Sequence, residues 1–128
     1  MKNTINRTAV AFILFAVAAC GSSTTGPNPN IASRSAASIA VSGGHLTDAS
    51  GFTLYDTQAA CTGQCLVVWP PLMASTAPTA MGGASQTAIA LNAGQVTYNG
   101  ALLFYFQSDT LPGQTHGNGV NGFSTVAP

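Results

Sequence analysis

Charge is the scarcest property of this chain. Its 128 residues carry three Lys+Arg and three Asp+Glu, with no glutamate anywhere and Lys2 as the one lysine. Nucleic acid is thereby excluded as an expected partner, because phosphate binding needs a basic patch that so few cations cannot form. Catalysis is poorly provided for as well. Three aspartates and two histidines are a thin acid–base inventory, and no Ser/His/Asp spacing supplies a nucleophile with its base. The expectation is a protein that is not an enzyme. Two further absences bound the fold. No apolar run reaches the roughly 20 residues a membrane-spanning helix needs, and no window of helical spacing survives after Ala37.

The start of the chain is informative. Lys2 and Arg7 precede an apolar run from Ala9 to Ala19, the layout of an export signal. The run ends at Val17-Ala18-Ala19-Cys20, which resembles the lipobox of bacterial lipoproteins; an ordinary signal-peptidase site made of the same alanines is the alternative. The lipobox reading makes Cys20 the first mature residue, carrying a diacylglyceryl group on sulfur and an amide-linked chain such as palmitate. Buried acyl carbons contribute about 0.8 kcal/mol each, so such an anchor is effectively permanent. The membrane is then reached through lipid. Gly21, rather than Asp, follows the cysteine, which in a Gram-negative cell implies sorting to the outer membrane. Without residues 1–19, Arg34 stands against Asp48, Asp56 and Asp109, a formal charge of −2.

Residues 20–37, rich in Ser, Thr, Asn, Pro and Gly, read as a flexible tether. Residues 38–128 read as one all-β domain with a marginal core. Ile39-Ala40-Val41 is a short apolar strand; His45-Leu46-Thr47 and Phe52-Thr53-Leu54-Tyr55 flank the turn Asp48-Ala49-Ser50-Gly51. Leu66-Val67-Val68-Trp69 reads as a strand ended by Pro70-Pro71. Ala88–Leu91 and Gln95–Tyr98 flank Asn92-Ala93-Gly94, Asn99-Gly100 predicts a type I′ hairpin turn, and strands follow at Leu102–Phe106 and Phe123–Val126. The two halves look alike: a hairpin, a Gly-containing loop, then a strand. Two related units of about 50 residues predict a small antiparallel sheet, sandwich or barrel, since one hairpin cannot bury its apolar face alone.

Cys61 and Cys65 leave three readings open. A disulfide would close a tight turn around Thr62-Gly63-Gln64 and, by the chain-entropy relation, contribute about 2 kcal/mol; an extracytoplasmic location favours it. A metal site is the second reading, because soft thiolates select Cu(I) and His45, His116, Met73 or Met81 could complete the ligand set. That version makes the chain a copper or electron-transfer binding module. A catalytic dithiol is the third, weakened because redox pairs sit at a helix N-terminus and a strand is expected after Cys65. His45 otherwise reads as a surface residue on a strand edge, and the glycine-rich loop around His116 lacks the strand–loop–helix setting of a phosphate cradle.

"LTDASGFTLY", "CTGQCLVVWPPL", "TYNGALLFYFQSD" and "PGQTHGNGVNGFSTVAP" together resemble the secreted-repeat family of bacterial lipoproteins, known for a repeated Tyr-x-(Phe/Trp/Tyr)-x-x-Asp motif. The resemblance spans about Ser42 to Pro128 and implies a lipid-anchored envelope protein with no established biochemical activity. Its marked positions here are Tyr55, Trp69, Tyr98, Phe104, Phe106 and Asp109. Departures are clear: Phe104 replaces the motif's leading tyrosine, the first copy keeps only Tyr55, with Thr57 and Ala60 at the other two places, Gln114 stands where the family tends to have Asp, and Phe123 where it tends to have Trp. On a strand, Phe104 and Phe106 share one side and Tyr105 faces the other. Asp109, just beyond, can fix the following turn through backbone N–H groups. Packing is preferred over a ligand platform on these grounds. The combined expectation is a lipid-anchored, non-enzymatic envelope protein in a structural or interaction role, with an envelope protein as partner and no cofactor beyond the lipid on Cys20.

Overall fold

The computed structural model describes residues 34–128. The signal segment 1–19, Cys20 and the first part of the tether lie outside the described residues. The all-β class is as expected. The strands are β1 (Ser38–Ser42), β2 (His45–Asp48), β3 (Tyr55–Thr57), β4 (Thr79–Ala80), β5 (Ile89–Asn92), β6 (Gln95–Tyr98), β7 (Ala101–Leu102) and β8 (Phe123–Thr125). They form three small sheets with orders β2-β1-β4, β3-β8 and β5-β6-β7. Strands this short bury little alone, so the sheets depend on one another for a common core.

The internal repeat is visible in the hydrogen bonds. Hairpin β1–β2 pairs Ile39 with Asp48 and Ser42 with His45; hairpin β5–β6, fifty residues later, pairs Ile89 with Tyr98 and Asn92 with Gln95. The N–H of Leu54 donates to the carbonyl of Leu46 in the first unit, and that of Leu103 to Val96 in the second. The halves meet at Tyr55 and Phe104, which exchange N–H···O bonds of 2.9 and 2.8 Å. Equivalent residues thus pair with each other, placing an approximate two-fold axis between them.

Each unit's returning segment completes the other unit. Leu72, from the first half, accepts from the N–H of Val96 and donates to Leu103; Val126, from the second, accepts from Leu46 and donates to Leu54. Apolar alternation puts Ile39, Leu46, Leu54, Leu72, Val96, Tyr98, Leu103 and Tyr105 into one core. A second, aromatic core of Tyr55, Trp69, Phe104 and Phe123 lies on the opposite side of the crossing.

Residues 66–69 correct the expected strand. Cys65–Val68 is a single helical turn, α1. Cys61 and Cys65 are joined as a disulfide with Cα atoms 5.3 Å apart, and Gly63 takes φ 59° to let the chain fold back. Within so short a covalent loop the backbone satisfies itself locally: Leu66 N–H donates to Gly63, Val67 to Gln64 and Trp69 to Cys65. Leu66 and Val67, expected in that strand, are 39% and 50% exposed. A second short helical turn, a 3-10 turn at Gln86–Ala88, leads into β5. Pro70 and Pro71 do not end the sheet pairing. They lie on an edge where only carbonyls are needed, and Pro70 accepts the N–H of Tyr105 at 2.7 Å.

The hairpin turns show one local cost. Gly43-Gly44 in the first unit is matched by Ala93-Gly94 in the second, and Ala93 sits at φ 48°, where an L side chain crowds its carbonyl at roughly 1–2 kcal/mol. Ala93→Gly is therefore expected to raise unfolding stability by about 0.5–1 kcal/mol, after allowing for glycine's greater chain entropy. Gly43→Ala should lower it by a comparable amount; urea midpoints of the two variants check both signs.

Candidate functional site

The motif residues converge on the aromatic core, which the two-fold crossing creates. Trp69 and Phe123 hold equivalent places in the two returning segments and stack face to face, centroids 3.7 Å apart at 6°. Tyr55 meets Trp69 edge-on at 5.4 Å, Phe106 leans on Trp69 at 4.5 Å, and Phe104 meets Phe123 edge-on at 5.4 Å. Each such pair contributes about 0.5–1.5 kcal/mol beyond its buried area. The strand expected over Leu102–Phe106 ends with β7 at Leu102, and Phe104 continues it only as isolated bridges to Tyr55 and Pro71; alternation of the chain still puts Phe104 and Phe106 in this cluster and Tyr105 in the other core. The half-buried cysteines pack on its edge.

The cluster's polar centre is a buried relay. Tyr55 donates its hydroxyl to Asp109 Oδ2 at 2.5 Å and accepts the N–H of Gly117 at 3.2 Å. Asp109 Oδ1 accepts the N–H of His116 at 3.0 Å, with the His116 ring nitrogen Nδ1 3.4 Å away. Asp109, only 1% exposed, therefore closes the loop from 109 to 117 onto the domain. Burial first, and then the hydrogen bond to Asp109, push the Tyr55 hydroxyl well above its ordinary pKa. Gly117 is required by contact: a Cβ there would lie 2.8 Å from the Trp69 ring and 2.9 Å from Phe106.

A matching arrangement occupies the other face. Asp48 accepts the N–H groups of Ser50 and Phe52 through Oδ1, and through Oδ2 the N–H of Ser35 at 2.9 Å and the Tyr105 hydroxyl at 2.8 Å. Burial, reinforced by the Asp48 charge and hydrogen bond, holds Tyr105 in its neutral form far above the usual range. Arg34 links the two arrangements through the Tyr105 ring and the Asp109 main-chain carbonyl. Its guanidinium lies 5.0 Å from the Phe52 ring centre and 4.5 Å from that of Tyr105. It donates to the carbonyls of Phe106 and Asp109 at 2.9 and 2.8 Å. Desolvation lowers its pKa against the opposing pull of Tyr105, Asp109 and Asp48.

Sequence reasoning missed Arg34, Asp48 and Tyr105. Arg34 falls within the expected tether; its signal is that it is the one cation facing three aspartates once residues 1–19 are set aside. Asp48 carried an Asp-x-Ser-Gly turn signature whose carboxylate caps two N–H groups. Tyr98 belongs elsewhere: it is buried in the larger core, accepting the N–H of Ser85 at 3.0 Å. Gln114 acts as an acceptor, its Oε1 taking the N–H groups of Thr110 at 2.7 Å and Leu111 at 3.0 Å.

The residues proposed for copper are not brought together. Both sulfurs are spent in the disulfide, His45 Nε2 sits 3.2 Å from the Thr53 hydroxyl, and His116 lies beside Asp109. Met73 and Met81 are exposed, and no group of three or more His, Cys, Asp or Glu side chains is gathered for a metal ion among the described residues. The dithiol reading needs one correction: Cys65 opens a helical turn, not a strand. No protein-family model, curated protein or solved structure matches the chain.

The two buried tyrosines set an alkaline limit. Each ionises in the unfolded chain near the ordinary tyrosine pKa of 10.0 but stays protonated when folded, so their contribution is intact below pH 10 and lost as pH rises above it. Unfolding free energy should fall by about 1.4 kcal/mol per pH unit per tyrosine there. Tyr55→Phe should shallow that slope by one proton, while lowering stability at pH 7 by about 1–3 kcal/mol because Asp109 and Gly117 lose their partner. Urea unfolding between pH 9 and about 11.5 reads both effects. Independently, Gly117→Ala should cost about 1–3 kcal/mol through overpacking against Trp69, seen as a lower melting temperature.

Proposed function

We propose that the chain is a lipid-anchored protein of the cell envelope, of the secreted-repeat lipoprotein kind, with a non-enzymatic role in structure or interaction. The observation that carries the reading on the domain side is the inward direction of the motif chemistry. Tyr55 and Asp109 are buried and bonded to each other and to the N–H groups of His116 and Gly117. Groups committed in this way hold a loop in place and do not present a reactive face.

On the membrane side, support comes from the apolar run ending at Val17-Ala18-Ala19-Cys20. Acylated at Cys20, the domain would stand off the bilayer on the tether, at the outer membrane of a Gram-negative cell, facing periplasm or surface. A disulfide between Cys61 and Cys65 suits the oxidising space beyond the inner membrane.

Expression with a labelled fatty acid is expected to mark the protein at Cys20, and the mature protein should partition with membranes. Cys20→Ser should abolish the label and shift the protein to the soluble fraction or leave the precursor uncleaved. An unmodified thiol at Cys20 in membrane-fraction mass spectrometry would remove the anchor.

A further inference from the structure

The approximate two-fold makes the two halves a control for one another, and one of their differences leaves a groove open. In the first hairpin, the groove beside His45, Gly51 and Thr53 is filled by the chain's own loop 111–114. Gly113 donates its N–H to the Gly51 carbonyl at 3.0 Å, Thr53 donates its hydroxyl to the Gln114 carbonyl at 2.7 Å, and Pro112 lies against Gly51. The equivalent positions of the second hairpin are Gln95, Gly100 and Leu102. All three line an open cleft of about 430 Å³, walled on the far side by residues 57–61.

The cause of the difference is covalent. Phe123 follows Phe104 by nineteen residues, whereas Trp69 follows Tyr55 by only fourteen. The Cys61–Cys65 bond then turns the shorter segment away into α1. What remains of that segment, residues 57–61, walls the cleft without filling it. Thr53 under its loop is 1% exposed, while Leu102 without one is 36% exposed.

We propose that this cleft is a binding site for an uncharged peptide turn of a partner protein, of the Leu-Pro-Gly-Gln kind that fills its counterpart. The ligand's backbone N–H meets the Gly100 carbonyl. An apolar ligand side chain covers Leu102, where the first unit has a hydroxyl, and the amides of Gln58 and Asn99 at the rim take the remaining polar groups. No ionisable side chain lines the cleft, Cys61 being held in the disulfide, so a charged ligand would surrender its hydration without compensation. The assignment rests on the interaction role proposed above, and it names the partner's chemistry.

The test is an NMR titration of the isotope-labelled full chain with the capped peptide Thr-Leu-Pro-Gly-Gln-Thr, the sequence of residues 110–115. A free peptide lacks the millimolar effective concentration of a tethered loop, so a dissociation constant on the order of 1 mM is expected. Shifts should be confined to Gln58, Gln95 and Asn99–Leu102. Leu102→Asp should weaken binding at least about tenfold, as hydrophobic contact is exchanged for an unpaired charge. Ala59→Trp, at an exposed rim position, should fill the cleft and abolish the shifts with the fold unperturbed. Absence of shifts at about 10 mM peptide, ten times the expected constant, overturns the proposal; so do shifts elsewhere on the surface, or shifts in the cleft with a neutral oligosaccharide but not with the peptide. Lipid on Cys20 plays no part in this titration, so failure of the anchor and failure of the cleft are read separately.

Discussion

Everything in this domain hangs on the crossing where Tyr55 and Phe104 exchange backbone hydrogen bonds and Trp69 lies flat on Phe123. Each unit sends its returning segment into the other, so neither hairpin has a complete sheet on its own. A domain of this size has little apolar surface to bury, and the exchange makes one core from two incomplete halves. It also makes folding depend on contacts between residues far apart in the chain, such as Leu46 with Val126, which is the kind of topology that folds slowly.

Around that crossing, scarce charge is used with economy. Arg34, Asp48 and Asp109 are drawn together through Tyr105, Tyr55 and main-chain carbonyls. The tyrosines let each aspartate be buried with hydrogen-bond donors in place of a direct ion pair. Buried carboxylates are tolerable only when their lone pairs are met, and here backbone N–H groups of the adjoining turns meet them. The same bonds that satisfy the charge therefore fix the loops at 48–52 and 109–117.

The halves share this plan but close their loops differently. In the second, Asp109 and Gln114 fold a long loop back over the first hairpin. In the first, a disulfide does the work that an aspartate does in the second, over fewer residues, and the neighbouring groove stays open. Ala60, at the place in the first half that Asp109 holds in the second, carries no carboxylate, and the disulfide beginning at Cys61 closes the chain there instead.

Much of this was legible from residues a few positions apart. Apolar alternation marked the strands, Asn99-Gly100 marked its turn, the fifty-residue echo marked the repeat, and the spacing of Cys61 and Cys65 permitted the bond that forms. These features depend on backbone preferences and neighbours within reach along the chain. Helical turn α1 was hidden because β-branched residues outvoted a constraint imposed by the covalent loop. Only the tertiary structure decided that the returning segments change places, that Arg34 docks between two aromatic rings, and that one groove is filled while its twin is open. Those outcomes are set by pairings across dozens of residues, where many partners satisfy the same local pattern and the packing of the whole core selects among them.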